Sequence, residues 1–417
     1  MPRRALMLTP DEGHLDRRIA QEAASLAKVG WSVDIYPAVD PGLRFEGDLA
    51  QGVRLLASPQ PPRRISTRRR LLRVVKRRLA RVVPHVDWLI ESVRYRRGDI
   101  VGSIAARNVD HLLSLPAYDL VVAHDVPVFL LATRLKAAWA CPLICDLHEV
   151  FPEQDEYFTT ETARRYWRTA EARGLADADG VIFVNAAVGD YVRRTHGSPA
   201  HSVVIHNSVP YVDQEQLRGT SLRDYYPIPA GDRIMLFAGS LRPHKQLEVL
   251  IDGFGRAGLD GWVLAILGEG PLRETLERQV ARGGLTGRVF LGRHAPQRDL
   301  VTVTASADLG LLPYQEVGFN YLIATPNKLF EYIQARLPIA TSRLPMIERI
   351  VNTHGTGGFV DFSTAASTAD GLRAFVAGPL QEITPARLEV AARTFAWEQE
   401  ETELFKLVTT VMPPREA

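Results

Sequence analysis

The chain has 417 residues, more than one hydrophobic core usually holds, so the length predicts two domains. Hydrophobic residues make up 46% and charged residues 24%, as in globular α/β proteins, and no apolar run approaches the ~20 residues that span a bilayer. The N-terminus enters a predicted strand without the apolar segment of a signal peptide. Cys141 and Cys145 are too few for a disulfide framework, so we interpret both as reduced core residues of a cytoplasmic protein.

The net charge is only +2, but positive charge is concentrated in one segment. Between Pro61 and Arg97 there are thirteen Lys and Arg residues but only two acidic residues. Leu72, Val75 and Leu79 follow helical spacing there, which predicts a basic amphipathic helix. Such a helix at Arg63–Arg97 indicates contact with an anionic membrane surface. A solvated helix packed on its own domain is the alternative, and nothing supports binding to nucleic acid.

Short apolar runs alternate with helical patterns in both halves, which predicts an α/β fold with parallel sheets. The predicted strands of the first half are Ala5–Leu8, Ser32–Tyr36, Leu120–Ala123, Leu143–Asp146, Gly180–Val184 and Ser202–His206. Those of the second half are Ile234–Ala238, Trp262–Leu267, Val289–Leu291, Leu309–Leu312, Pro338–Thr341 and Gly358–Asp361. We interpret the turn-rich stretch Pro210–Pro229 as an interdomain linker, and the tail from about Ala386 is predicted to be helical. Ligands of open parallel sheets bind at the carboxyl ends of the strands, so we expect a cleft where those ends meet.

The segment Asn320–Ser342 is the most informative part of the chain. It predicts a helix from about Lys328 to Arg336, followed by a buried strand, Leu337–Thr341. Pro326 suits the first helical turn, and the N–H groups of a helix start favour an anion. Glu331, about one turn inside, can accept two hydrogen bonds from vicinal sugar hydroxyls. A segment that binds a diphosphate at the helix start and a ribose one turn further along would form a nucleotide-sugar site. An ordinary helix–strand unit is the alternative.

The run Pro326-Asn-Lys-Leu-Phe-Glu-Tyr332 resembles the donor-binding segment of the family 4 retaining glycosyltransferases. It departs from the family pattern at two positions. Ile323 stands where the family's signature has a further glutamate, which usually helps to position the donor. Arg336 replaces the usual helix-ending glycine, at a cost of roughly 1 kcal/mol if its φ must be positive.

The resemblance implies an α/β fold of two facing Rossmann-like domains, named GT-B. Residues 1–209 would form the N-terminal, acceptor-binding domain, and residues 210–394 the C-terminal, donor-binding domain. Phe395-Ala-Trp397 resembles the start of the family's closing helix, so residues 395–417 would cross back onto the N-terminal domain.

The same resemblance implies further donor-side residues. Gly239 would let the backbone approach a ligand, and Lys245 would neutralise the leaving diphosphate, unless it is only a surface lysine. Ser240 occupies the family's arginine position, for which Arg242 is a candidate substitute. Glu269 lies in a Gly-x-Gly turn expected near the nucleotide base, although such turns are common. The predicted donor-binding residues are Gly239, Ser240, Arg242, Lys245, Glu269, Pro326, Asn327, Lys328, Leu329 and Glu331.

On the acceptor side, Gly13 lies where the family has a glycine loop. Arg18 matches an Asp-x-Arg pattern at the start of the first helix, with a helix-surface arginine as the alternative. His124 follows a predicted strand, where relatives have a histidine that contacts the transferred sugar. The motif Asp146-Leu-His148-Glu149 resembles the family's Asp-x-His-Glu, which makes His148 and Glu149 acceptor-side candidates; a structural turn is the alternative.

The implied activity is retaining transfer of a sugar from a UDP- or GDP-sugar to a hydroxyl acceptor. The leaving diphosphate would take the acceptor proton, so catalysis would be largely electrostatic, with His124, Lys245 and Glu331 as its main residues. No Asp-x-Asp motif stands out, so we expect neither a metal nor another cofactor. The basic segment indicates a glycan or lipid-linked acceptor and a peripheral position at the inner face of the membrane, while a soluble acceptor remains open.

Two other classes compete with this interpretation. One is a different GT-B enzyme, such as a nucleotide-sugar epimerase or a phosphorylase carrying pyridoxal phosphate on a lysine. The other is a non-catalytic subunit that binds a nucleotide-sugar for an active partner, an alternative prompted by Ile323 and Ser240.

Overall fold

The computed structural model describes residues 2–45, 47–58, 99–154, 160–293 and 299–412. The chain divides into two compact units, the first formed by Met1–Ile205 and Glu401–Ala417 and the second by His206–Glu400. The predicted basic helix lies outside the described residues, so its membrane contact stays a prediction. In the part of the chain that is described, no helix is long and apolar enough to cross a bilayer.

The first unit contains a parallel sheet of seven strands in the order β3-β2-β1-β4-β5-β6-β7. Its strands are β1 (Arg4–Thr9), β2 (Ser32–Pro37), β3 (Val53–Leu55), β4 (Leu120–His124), β5 (Leu143–Leu147), β6 (Gly180–Phe183) and β7 (Ser202–Val204). Its described helices are α1 (Arg17–Lys28), α2 (Ile100–Leu113), α3 (Phe129–Trp139), α4 (Glu161–Ala176) and α5 (Ala186–His196).

The second unit contains a parallel sheet of six strands in the order β10-β9-β8-β11-β12-β13. Its strands are β8 (Arg233–Ala238), β9 (Trp262–Leu267), β10 (Val289–Gly292), β11 (Leu309–Leu312), β12 (Ile339–Thr341) and β13 (Gly357–Phe359). Its described helices are α6 (Leu222–Tyr225), α7 (Leu247–Ala257), α8 (Arg273–Arg282), α9 (Leu300–Ala305), α10 (Phe319–Leu322), α11 (Asn327–Gln334), α12 (Pro345–His354), α13 (Ala365–Ala377), α14 (Pro379–Glu382) and α15 (Pro385–Thr394). The last helix, α16 (Trp397–Val411), begins in this unit and continues into the first.

Both sheets are apolar on both faces, as expected for parallel strands covered by helices on each side. In β8, Ile234 and Leu236 enter one apolar core, and Met235 and Phe237, which alternate with them, enter a second. Because successive side chains of a strand point to opposite faces, one continuous apolar run supplies both cores.

The strand order reverses at one point in each sheet, between β1 and β4 in the first unit and between β8 and β11 in the second. Ligands of open α/β sheets bind outside the carboxyl ends of the strands at such switch points. We therefore expect functional side chains on the loops that follow these four strands.

Every predicted strand is present with bounds shifted by at most two residues, and β3 is an additional one that was not predicted. The structure corrects two other predictions. Pro326 precedes α11 with extended backbone (φ −68°, ψ 149°) instead of occupying its first turn. The stretch predicted as a linker belongs to the second unit, where Leu222 is fully buried and Val209 pairs with Ala396.

The first unit receives the C-terminal part of α16. Glu401 accepts hydrogen bonds there from Ser25 Oγ at 2.9 Å and from Lys28 Nζ at 2.6 Å. The structure divides the chain at 205/206 and 400/401, close to the predicted boundaries at 209/210 and 394/395.

Candidate functional site

The start of α11 brings together a cation, a carboxylate and a helix N-terminus. Lys328 Nζ donates a hydrogen bond to Glu331 Oε2 at 2.6 Å, and Glu331 is only 2% exposed. No described side chain caps the helix, so its first N–H groups retain their preference for an anion. Ile323, in the place of the family's further glutamate, is buried just before this segment.

Lys245 lies on the loop after β8, at the end of a short turn of 3₁₀-helix, Pro243–Lys245. Its Nζ is 3.9 Å from the centroid of the Tyr314 ring and 5.6 Å from that of Tyr321. Since Tyr314 follows β11, this contact joins the two loops at the switch point of the second sheet. Lys245 is half-buried, and its role toward a donor stays a prediction.

Tyr314 also connects Lys245 with α11. Burial raises the pKa of the Tyr314 hydroxyl, and the negative charge of Glu331 raises it further. Tyr314 thus interacts electrostatically with Glu331 as well as contacting Lys245. The structure therefore brings Lys245, Lys328 and Glu331 into one neighbourhood, where a diphosphate would meet two cations and a helix N-terminus.

The two glycine turns of the second unit pack backbone against backbone. Leu241 N donates to Glu269 O at 2.9 Å, which links the loop after β8 to the loop after β9. A Cβ added to Gly268 would lie 1.8 Å from the carbonyl oxygen of Gly239, and one added to Gly270 would lie 2.5 Å from that of Leu241. The close approach of these loops therefore requires glycine.

The remaining predicted donor residues lie on the same loops. Arg242 N donates to Ser240 O at 3.0 Å, within the turn that leads to Lys245. The Glu269 side chain is half-exposed and forms ion pairs with Arg273 at 3.4 Å and with Arg293 at 3.5 Å. The roles of Ser240, Arg242 and Glu269 toward a donor stay predictions.

In the first unit, Asp146 is the centre of a buried ionic network. Its Oδ1 accepts a hydrogen bond from Arg18 Nη2 at 2.5 Å. Its Oδ2 lies 3.0 Å from His124 Nδ1 and 2.8 Å from His148 Nε2. Arg18 Nε also donates to Glu22 Oε1 at 3.0 Å, and Arg18 is only 2% exposed. The alternative that Arg18 lies on the helix surface is therefore wrong.

The charges of this network stabilise one another. Burial alone would raise the pKa of Asp146, but Arg18 and His148 outweigh it and hold that pKa well below its usual range. Burial likewise opposes the charged form of His148, yet the carboxylates of Asp146 and Asp125 raise its pKa to about 10. His148 is thus a cation with two N–H donors at neutral pH.

The arrangement of His124, Asp146 and His148 also offers three potential metal-ligand atoms within 4.8 Å of one another. A metal-ligating histidine must present an unprotonated nitrogen. A cation bound here would have to displace the proton of His148 and share Asp146 with Arg18.

His124 is fully buried at the end of β4. If its Nδ1–H donates to Asp146, Nε2 is left as an acceptor, and in the part of the chain that is described this atom has no hydrogen-bond partner. The predicted contact of His124 with the transferred sugar would need Nε2 to become accessible, so this role stays a prediction.

The acceptor-side candidates Gly13 and Glu149 follow β1 and β5. Gly13 has φ 83° and donates its N–H to Asp40 Oδ2 at 2.8 Å, so its conformation requires glycine. Glu149 lines a cavity of about 720 Å³ in the first unit and accepts a hydrogen bond from Gln154. Sequence reasoning missed Asp11 and Asp125, which line the same cavity; their positions directly after β1 and β4 were the available signal.

Two family models match the chain. The model described as "Glycosyl transferase 4-like domain" covers residues 15–208, and the one described as "Glycosyl transferases group 1" covers residues 220–395. Together they include most of both units. The chain belongs to the family 4 glycosyltransferases.

Individual relatives match only part of this family member. The alpha-D-kanosaminyltransferase of Streptomyces kanamyceticus is 24% identical over 223 residues, which are 50% of this chain and 54% of the relative. The D-rhamnosyltransferase WbpZ of Pseudomonas aeruginosa is 30% identical over 149 residues, 33% of this chain and 37% of the relative. The chain thus matches about half or less of the length of these curated relatives.

The similarity in fold extends further than the similarity in sequence. The crystal structure of Anabaena Alr3699/HepE in complex with UDP-glucose shares the fold with a TM-score of 0.65 at 15% identity, over 98% of this chain and 99% of that one. Together with the two parallel-sheet units, this confirms the predicted GT-B fold class.

Proposed function

We propose that this family 4 glycosyltransferase transfers a sugar from a UDP- or GDP-sugar to a hydroxyl of an acceptor, with retention of the anomeric configuration. The observation that carries the proposal is the Lys328–Glu331 ion pair at the start of α11, together with the contact of Lys245 with Tyr314 on the loop after β11. The Anabaena structure is a complex with UDP-glucose, which supports a nucleotide-sugar as the donor class.

In the proposed mechanism, the residues of the second unit act on the leaving group. Lys245, Lys328 and the N–H groups of α11 stabilise the negative charge that develops on the nucleoside diphosphate as the glycosidic bond breaks. Glu331 accepts hydrogen bonds from the ribose hydroxyls, which orients the donor. The acceptor hydroxyl then bonds to the anomeric carbon, and its proton passes to the departing diphosphate.

This mechanism needs no metal, because side-chain cations and a helix N-terminus supply the positive charge that a divalent ion would otherwise bring. Metal independence is therefore part of the proposal. It is tested by measuring turnover before and after treatment with a chelator, and a loss of turnover restored by Mg²⁺ or Mn²⁺ would contradict it.

The first experiment is calorimetric titration of the purified full chain with UDP, GDP, ADP and dTDP, repeated with Glu331→Gln. We expect either UDP or GDP to bind. Glu331→Gln should bind that nucleotide more weakly by roughly 1–3 kcal/mol, the cost of a lost charged hydrogen bond. Glu382→Gln, at an exposed position of α14 in the same unit, should leave the affinity unchanged.

Absence of binding to all four nucleotides would overturn the donor assignment. Nucleotide binding without release of diphosphate from any nucleotide-sugar, across a panel of acceptors, would favour the non-catalytic binding subunit. The anomeric configuration of a product, read by NMR coupling constants, tests retention.

A further inference from the structure

The cavity of about 720 Å³ in the first unit has the size and position of a small-molecule site. Its lining includes residues from the loops that follow four neighbouring strands, β2, β1, β4 and β5. It therefore lies at the carboxyl ends of the strands and spans the switch point between β1 and β4, where ligands of such sheets bind. The first turns of α2 complete its wall.

The lining of this cavity is strongly acidic. Five carboxylates line it, from Asp11, Glu12, Asp99, Asp125 and Glu149, and Arg107 is the one cationic side chain among the described lining residues. The N-terminus of α2 would favour an anion, but Asp99 caps it by accepting the N–H of Gly102 at 2.8 Å. Among the described lining residues, acidic side chains therefore outnumber basic ones.

Asp11 and Asp125 both interact with the positive charge of His148. Burial raises the pKa of Asp11 and that of Asp125, and the charge of Asp11 raises the pKa of Asp125 further. His148 Nδ1 lies 3.8 Å from Asp125 Oδ2 and compensates this pair only in part. A cation bound between Asp11 and Asp125 would relieve their mutual repulsion.

The cavity also offers an aromatic surface. Phe151 and Trp167 line it with ring centroids 4.8 Å apart and planes at 66°. Aromatic rings pack against the apolar C–H faces of a saturated sugar ring, while carboxylates accept hydrogen bonds from its hydroxyl and ammonium groups. The lining thus combines the two contacts that a charged carbohydrate makes.

Resting on the proposed glycosyl transfer, we propose that the acceptor is an amine-bearing sugar or polyol, whose ammonium group binds Asp11 and Asp125 and whose ring packs on Phe151, which contacts the buried Trp167. A hydroxyl of this acceptor, not its amine, forms the new glycosidic bond as the nucleoside diphosphate leaves with the hydroxyl proton. The same carboxylates disfavour a phosphorylated acceptor by like-charge repulsion.

The test is saturation-transfer NMR on the full chain with three probes: glucosamine at a pH where its amine is protonated, N-acetylglucosamine, and glucose 6-phosphate. We expect glucosamine to bind about tenfold more tightly than N-acetylglucosamine, the range of a charged hydrogen bond, and glucose 6-phosphate to bind least. Asp125→Asn and Asp11→Asn should each remove most of this preference. Asparagine has the shape of aspartate, and its amide oxygen can still accept the N–H of His148 at position 125.

Asp190→Asn, at an exposed position of α5, is the matched control and should keep the preference for glucosamine. Equal binding of glucosamine and N-acetylglucosamine, or preferred binding of glucose 6-phosphate, would overturn the inference. Nucleotide titration of the same samples separates the two proposals. If the nucleotide binds and no amine preference appears, only the acceptor class is wrong, whereas loss of nucleotide binding removes the proposed function as well.

Discussion

Arg18 Nη2 donates a hydrogen bond to Asp146 Oδ1 at 2.5 Å, and both side chains are almost completely buried. This pair connects the first helix of the chain to the end of β5, beside the predicted acceptor motif. Asp146 in turn holds His124 and His148, so Arg18 acts on both histidines through one carboxylate. At 2% exposure Arg18 has almost no contact with solvent.

Removing Arg18 should destabilise the first unit strongly. Arg18→Ala would leave the charges of Asp146 and Glu22 buried with less compensation, and breaking a buried pair in this way costs about 3–5 kcal/mol. The measurement is the free energy of unfolding from urea titration. Arg193→Ala, which removes an exposed ion pair with Asp190, should cost less than about 1 kcal/mol. Equal losses in the two variants would contradict the buried-network interpretation.

His148 should make the stability of the protein dependent on pH in the alkaline range. The native environment raises its pKa from 6.5 to about 10, so the protonated form is favoured by folding. The resulting stabilisation is complete below pH 6.5 and is lost as the pH rises through 10. The difference in unfolding free energy between the parent and His148→Gln should therefore shrink from pH 6.5 to pH 10.

The control for this pH dependence is His201→Gln, at an exposed position in the same unit. Its unfolding free energy should follow that of the parent at every pH. A difference between the parent and His148→Gln that stays constant with pH would show that His148 contributes by packing and not by its charge.

The sequence predicted the features that depend on local pattern. The strands were found because each is a short apolar run bounded by turns, and Arg336 does adopt the positive φ, 53°, expected at a helix end without glycine. Its side chain compensates for that conformation by an ion pair with Glu389 at 3.1 Å and by packing on Tyr211.

The features that the sequence did not predict depend on contacts between distant residues. Arg18 and Asp146 are 128 positions apart, and only the parallel order of β1, β4 and β5 brings the loops after these strands together. The same is true of Tyr314, whose contact with Lys245 needs β8 and β11 to be neighbours. β3 was not predicted because it is only three residues long and Val53 is its one buried residue.

Gly268→Ala should disrupt the proposed nucleotide site. The added Cβ would lie 1.8 Å from the backbone oxygen of Gly239, which cannot move without displacing the loop that leads to Lys245. We expect nucleotide affinity to fall at least about tenfold, together with a lower melting temperature, because steric overlap in a packed site costs about 1–3 kcal/mol. Gly231→Ala, where an added Cβ meets no atom within 4 Å, should leave both quantities unchanged.

The aromatic ring of Tyr314 should contribute more to nucleotide affinity than the Tyr314 hydroxyl group does. Tyr314→Phe keeps an aromatic face under Lys245 Nζ, whereas Tyr314→Leu removes the cation–π contact that orients this lysine. Such contacts contribute about 0.5–2 kcal/mol, so UDP or GDP should bind Tyr314→Leu roughly two- to thirtyfold more weakly than it binds Tyr314→Phe. The free nucleoside should bind both variants equally, because it has no diphosphate for Lys245 to meet. If Tyr314→Leu weakens binding of the nucleoside and the nucleotide equally, Tyr314 shapes the site as a whole. If the two variants bind the nucleotide with equal affinity, the ring does not orient Lys245.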